Sequence, residues 1–275
     1  MRTFVGLTAI LLCGAGFVAA QKKFNSVPEA IAALSHSTVD HDAIKYLAAY
    51  SGESLPLLMQ IVEHQQSGWT SASSALVRTK DASIVPFYIH LLKDNMYLKE
   101  ADGSRKVFGL GSPNGCAVQT SWFGSVMARS LGEIGDKQAI PALWDATRNG
   151  DDEVRASAYG ALYRLGAVSL DELFELAKRP MPISSEIREF IERLGWEKKN
   201  SDPHFALGVF DRMIAEFPDD RNKIAAAHFW KIGCYEVLHR PDDAIRECNE
   251  VLKFTEFNSL VSQAQSKLAT LTEGR

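Results

Sequence analysis

Four places in this sequence bring together residue types that do chemistry. Cys116 sits in the turn-rich stretch Ser112-Pro113-Asn114-Gly115-Cys116. A thiol becomes a nucleophile only as a thiolate held by a base or a helix start, with a histidine in reach, and no histidine lies near Cys116 in the chain, so a structural thiol is expected there. Cys234 and Cys248, 14 residues apart, fall on two neighbouring helical segments. Both a disulfide in an oxidising compartment and a pair of packed thiols fit that placement. Asp40-His41-Asp42 and Glu63-His64 offer metal-ligand types without the second His or Cys that zinc requires at helical or turn spacing. Asp40 or Asp42 reads better as the cap of the helix running into Ile44-Lys45-Tyr46-Leu47.

His204, His228 and His239 are scattered and read as surface or partly packed side chains. Gly109-Leu110-Gly111 is a fragment of a dinucleotide fingerprint without its third glycine or a βαβ context. No Gly-x-Ser-x-Gly elbow and no His-Glu-x-x-His occurs. No catalytic residue, cofactor or metal ligand is therefore assigned. Trp122, Trp144, Trp196 and Trp230 recur at helical spacing and are expected in the core.

The elements that would position any site come from internal repetition. Ala128-Arg129-Ser130-Leu131-Gly132-Glu133-Ile134-Gly135 superimposes without gaps on Tyr159-Gly160-Ala161-Leu162-Tyr163-Arg164-Leu165-Gly166, 31 residues later. Ala75-Leu76-Val77-Arg78 with Ile84-Val85-Pro86 is an earlier copy, displaced by 55 residues, and Leu55-Pro56-Leu57-Leu58 is a fainter one, 30 residues before Val85-Pro86-Phe87-Tyr88. The period is close to 31, with an insertion of about 24 residues in one unit. In each unit an apolar-periodic helix ends in Gly, and a Pro such as Pro86 or Pro141 stands at the start of the second helix, where a missing N–H costs nothing. The polar turn Asn149-Gly150-Asp151-Asp152 supplies acids to cap the next helix. One helix pair cannot bury its apolar face alone, so the pattern predicts an all-α fold, an α-solenoid of stacked helix pairs.

Leu131-Gly132-Glu133-Ile134-Gly135-Asp136-Lys137-Gln138-Ala139-Ile140-Pro141-Ala142-Leu143 and Asp151-Asp152-Glu153-Val154-Arg155-Ala156-Ser157-Ala158 resemble short HEAT repeats of the phycocyanobilin-lyase type. The resemblance implies a structural role for Asp152 and Arg155, the Arg pairing with neighbouring acids along the stack. It does not imply lyase activity, because such repeats recur in many non-enzymatic proteins. After the polar stretch from Gly195 to Pro203 the pattern changes. Ile214-Ala215-Glu216-Phe217-Pro218 and Pro241-Asp242-Asp243-Ala244-Ile245 resemble degenerate tetratricopeptide repeats of the bacterial envelope kind.

The insertion, about 93–120, is the segment where function is expected. Met96-Tyr97-Leu98-Lys99-Glu100, a turn at Ala101-Asp102-Gly103-Ser104, and Arg105-Lys106-Val107-Phe108 suit a small β-hairpin. Tyr97, Lys99, Arg105, Lys106 and Phe108 are its candidate partner-binding residues. A tolerated loop with no partner fits the same residues.

The 275 residues are 46% hydrophobic and 23% charged, enough apolar surface for a sizeable core. A formal net charge of −4 with no Lys/Arg run longer than two excludes the clustered positive surface that nucleic acid needs. Arg2 followed by the apolar, small-residue stretch from Phe4 to Ala20 reads as a signal peptide over 1–20, cleaved near Ala20, leaving no membrane span in the mature chain. Three cysteines then remain, an odd number that cannot make a full disulfide framework. The expected organisation is a HEAT-like domain over 21–196 followed by a tetratricopeptide-like helical domain over 203–275. The expected function is that of an exported scaffold, periplasmic or secreted, that holds protein partners through a repeat surface, with a place in bacterial envelope assembly. The alternative is an enzyme or small-ligand-binding protein using the loop around residues 97–116.

Overall fold

The computed structural model describes residues 24–35, 40–96, 120–180 and 183–273. Among them there is no strand, and the helices follow one another in pairs. These are α1 (Val27–Leu34) with α2 (His41–Ala49), α3 (Ser51–Glu63) with α4 (Trp69–Thr79), α5 (Ile84–Met96) with α6 (Thr120–Ile134), and α7 (Ile140–Asn149) with α8 (Asp152–Arg164). They continue as α9 (Leu170–Lys178) with α10 (Ser184–Lys198), α11 (Pro203–Glu216) with α12 (Arg221–Val237), and α13 (Pro241–Val251) with α14 (Asn258–Glu273). Each pair packs on itself, and the even-numbered helices stack in series from α2 to α14. The chain is an all-α solenoid.

Local chemistry explains where the helices start. Asp40 accepts from the backbone of Asp42 and Ala43, Asp151 from Val154, and Asp202 from Phe205, each satisfying N–H groups that have no partner in the first turn. Ser169 and Glu172 form a reciprocal capping box on α9. Pro141 stands second in α7, and Pro203 and Pro241 stand first in α11 and α13. The faintest repeat copy departs from this pattern. Pro56 lies inside α3, which begins five residues earlier at Ser51.

The ends repeat as well. Gly135 and Gly166 occupy the left-handed region at φ +83° and +72°, and the matching position after α4 is Lys80 at φ +52°. Leu76, Leu131 and Leu162, one turn before these caps, are fully buried. The insertion between α5 and α6 does not interrupt packing on its two sides. Ser73 of α4 hydrogen-bonds both the Tyr88 hydroxyl of α5 at 2.9 Å and the Ser130 hydroxyl of α6 at 3.2 Å, a buried tie across three helices.

The apolar core runs from Phe24 to Cys234, and a smaller cluster of Phe229, Ile232, Ala244, Cys248, Val251 and Ala264 lies under α14, with Trp230 and Tyr235 packed against both. The polar stretch after Gly195 is a short inter-helix turn. α10 continues to Lys198, Gly195 is buried within it, and Phe210 of α11 packs so closely that a Cβ on Gly195 would meet its ring at 2.7 Å. On α14, Ser259, Ser262, Gln263, Ser266 and Thr270 face solvent, the polar outer surface that a terminal repeat requires.

Candidate functional site

The most distinctive surface is the exposed edge of α6, α8 and α10. α6 and α8 approach closely because Gly132 faces Ala161, and a Cβ on that glycine would come within 2.7 Å of the Ala161 Cα. Two adjoining clefts of about 170 and 160 Å³ open on this edge, and both are lined by Arg129, Ser157, Phe190 and Arg193. Arg129 and Gly160 occupy equivalent positions of the two superimposed repeats. Where α6 projects a guanidinium, α8 projects nothing, and the Phe190 ring of α10 fills the space above Gly160.

Charge on this edge is uneven. Arg164 makes a two-pronged contact with Glu197 at 2.8 and 3.0 Å, and Glu153 accepts from the Ser125 hydroxyl at 3.0 Å. The Arg164 and Arg193 guanidinium groups lie 5.9 and 5.6 Å from the centre of the Phe190 ring, within cation–π range. Among the described residues Arg129 makes no hydrogen bond or ion pair. Burial lowers its pKa, and the like charge of Arg193 adds to that, against the opposing pull of Glu153 and Glu133.

A second surface adjoins the first on α10 and α12. Trp196 is 46% exposed, and the Lys199 ammonium lies 5.7 Å from its ring and 5.5 Å from that of Trp230. The Trp230 indole N–H donates to Glu192 at 3.0 Å, and Glu192 also receives Lys223 at 2.7 Å. The expectation that Trp122 and Trp196 lie in the core is therefore corrected. Trp122 is 40% exposed, resting edge-on against the buried Trp69 with ring centres 4.8 Å apart. Helical spacing put both residues on packing faces, but the neighbouring helices cover only part of each ring. Trp144 and Trp230 are half-buried.

A third cluster is internal. The Lys231 Nζ lies 2.7 Å from Asp211 and 2.8 Å from Glu247, and Glu247 also meets His228 Nδ1 at 2.6 Å. Lys231 and Glu247 are only 7% and 5% exposed, so this network ties α11, α12 and α13 together. Each buried charge has an opposite partner, as a low-dielectric site demands.

Asp152 and Arg155 lie in the first turn of α8. Arg155 contacts Asp152 of its own helix at 3.3 Å and donates from Nε at 3.1 Å to the Thr147 carbonyl, one of the last carbonyls of α7. Cys234 and Cys248 are free, buried thiols, so of the two readings open to them the structure has packed thiols. Burial pushes Cys234 up to about 11 and raises Cys248 as well, which keeps both protonated at neutral pH. Tyr97, Lys99, Arg105, Lys106 and Phe108, with Cys116 and the stretch 1–20 expected to be a signal peptide, lie outside the described residues. Among the described residues no three His, Cys, Asp or Glu side chains are placed to hold a metal ion, and no helix is long and apolar enough to cross a membrane.

The family model described as HEAT repeats matches residues 125–185, from within α6 to the start of α10. This stretch carries HEAT repeats. The clefts at Arg129 and Arg193 open at the junction of these HEAT-repeat helices with α10. No curated protein and no solved structure matches the chain. Arg129, Phe190 and Arg193 were not singled out from sequence, and Trp196 was expected in the core. Reading the repeat copies position by position would have set Arg129 against Gly160, a large cation against no side chain at all.

Proposed function

We propose that this protein is an exported scaffold that holds other proteins against the exposed edge of α6, α8, α10 and α12. HEAT repeats are protein-interaction architecture, and a solenoid edge offers an extended surface to a partner. The observation that carries the reading is that Trp122 of α6 and Trp196 of α10, each about two-fifths exposed or more, stand on the two helices that also carry Arg129 and Arg193. Trp and Arg are the residue types enriched at interface hot spots. Export is read from Arg2 and the apolar stretch Phe4–Ala20, and the tetratricopeptide-like pattern around Phe217-Pro218 and Asp242–Ile245 supports a place in a bacterial envelope assembly. The phycocyanobilin-lyase type of repeat is taken as an architectural likeness, without the activity.

Crosslinking in the native cell envelope, followed by capture of the full chain, tests this reading. Defined partners should be recovered reproducibly and reduced by Trp196→Ser. No reproducible partner, or partners indifferent to both Trp196→Ser and Trp122→Ser, would count against it. The reading as an enzyme or small-ligand protein rests on residues 97–116, and deleting Lys99 to Gly115 tests it separately.

A further inference from the structure

We infer that the cleft between Arg129 and Arg193 is a carboxylate-binding site, built to take an acidic side chain of a partner segment in which basic residues flank the acid. The inference deepens the scaffold reading and rests on it for the identity of the partner as protein.

The argument begins with register. Arg155 of α8 and Arg188 of α10 do the same work, each donating from Nε at 3.1 Å to a last-turn carbonyl of the preceding helix, Thr147 and Ala177. Their spacing of 33 residues maps Gly160 onto Arg193, just as the spacing of 31 maps Arg129 onto Gly160. One position of three successive stacked helices therefore reads Arg, Gly, Arg. The two guanidinium groups border a cleft in which the middle helix contributes no side chain at the matching position, Gly160, and offers the Ser157 hydroxyl instead.

The other half-buried arginines of the solenoid have acceptors in the fold. Arg155 has Asp152, Arg164 has Glu197, Arg188 has Asp220, and Arg212 has Asp171 and Glu216. Arg129 has none among the described residues, and Arg193 reaches only Glu197, at 4.0 Å. The Ser157 hydroxyl in the same cleft also makes no hydrogen bond among the described residues. Two guanidinium groups and a hydroxyl thus face one small space, whose apolar side is the Phe190 ring. Planar, forked donors of this kind suit a carboxylate, with its methylene stem against the ring.

The acids around the cleft narrow the choice. Glu133, Glu153, Glu186, Glu189 and Glu197, the last already paired with Arg164, border it and disfavour a dianion such as phosphate, whereas a single carboxylate costs less repulsion. The same acids favour Lys or Arg on either side of the bound acid, which makes the occupant a mixed-charge segment of a protein.

The test is an NMR titration of the full chain, following the Nε–Hε resonances of Arg129 and Arg193. The probes are the acetylated and amidated pentapeptide Lys-Ala-Glu-Ala-Lys and its analogue with Gln in place of Glu, at constant ionic strength. The Glu peptide should give saturable shifts at both resonances and bind roughly tenfold more tightly than the Gln peptide. Arg129→Gln, and separately the more exposed Arg193→Gln, should erase that preference while the amide spectrum stays folded. Equal binding of the two peptides, a preference surviving both variants, or inorganic phosphate displacing the Glu peptide better than acetate does would overturn the assignment. Envelope partners indifferent to both variants would remove the cleft and leave the scaffold. Peptide discrimination without any envelope partner would keep the cleft and remove the scaffold.

Discussion

Arg188 closes the end of α9 by donating from Nε to the carbonyl of Ala177 at 3.1 Å, while its other nitrogen reaches Asp220, at the start of α12, at 3.3 Å. Its guanidinium also lies 4.6 Å from the centre of the Phe217 ring. One side chain thus ties two helix junctions, the end of α9 and the turn from α11 into α12. Arg188→Ala should destabilise the protein by about 2 kcal/mol, through a freed carbonyl, a lost charge pair and lost packing. Arg188→Lys should recover less than half of that, because one ammonium cannot cap, pair and lie flat on the ring together. Urea unfolding of the three proteins checks the order.

Lys80 occupies the cap position that Gly135 and Gly166 fill in the later repeats, with φ +52°. A side chain in the left-handed region costs roughly 1–2 kcal/mol, part of which is offset because glycine loses more freedom on folding. Lys80 is exposed, so nothing packed is lost when it is replaced. Lys80→Gly should therefore stabilise the protein by roughly 0.5–1 kcal/mol, and Gly135→Ala should destabilise it by about 1 kcal/mol or more. A rise in the thermal midpoint for the first and a fall for the second would agree with this. A fall for Lys80→Gly would show that the α4 end is held by something other than its backbone conformation.

These two cases show what could be read in advance. The glycine-terminated helices, the prolines at helix starts and the 31-residue period follow from local rules that leave a mark on residue type, so the solenoid was legible from Ala128 to Gly166. Lys80 and Pro56 break those rules and made the earlier copies faint. Lys80 adopts the conformation without the residue that favours it, and Pro56 sits inside a helix that starts at Ser51. Trp122 and Trp196 were misread for a different reason. Periodicity tells which face of a helix carries an aromatic ring, but how far the next helix covers that face depends on stacking, which spacing along one helix does not encode.

Glu247 and Lys231 make opposite contributions to pH stability. Burial pushes the Glu247 carboxyl up, but the hydrogen bonds from His228 and Lys231 together outweigh it and hold the group below its ordinary value. The stability it confers is present above its unfolded pKa of about 4.3 and is lost as pH falls through the lower folded value. For Lys231, burial favours the neutral amine, and the bonds it donates to Asp211 and Glu247 reverse this and raise the group. Its contribution is present below about 10.4 and is lost as pH rises through the folded value. Thermal midpoints measured against pH should show the gap between wild type and Glu247→Gln narrowing on the acid side, below pH ~4.

Lys231→Met at neutral pH should cost about 3 kcal/mol, because it leaves Glu247 charged and buried with only His228 beside it. Adding Glu247→Leu should restore most of that loss, since well-packed apolar side chains can replace a buried ion pair at little cost. A double variant no more stable than the single one would mean that the network's value lies in fixing the α11–α12–α13 geometry.

Cys234 and Cys248 give a chemical test of the C-terminal core. Both thiols are buried, and Cys234 is pushed up to about 11. Neither should react with a maleimide at pH 7 in the native protein, and both should react on unfolding in denaturant without reductant. Peptide mapping by mass spectrometry reads the two sites separately from Cys116. Labelling of Cys248 ahead of Cys234 at low denaturant would show α13 and α14 opening as a unit before the rest of the solenoid, as expected where the terminal cluster is small and packed on one side only. A disulfide-linked peptide recovered from the native protein would contradict the free thiols.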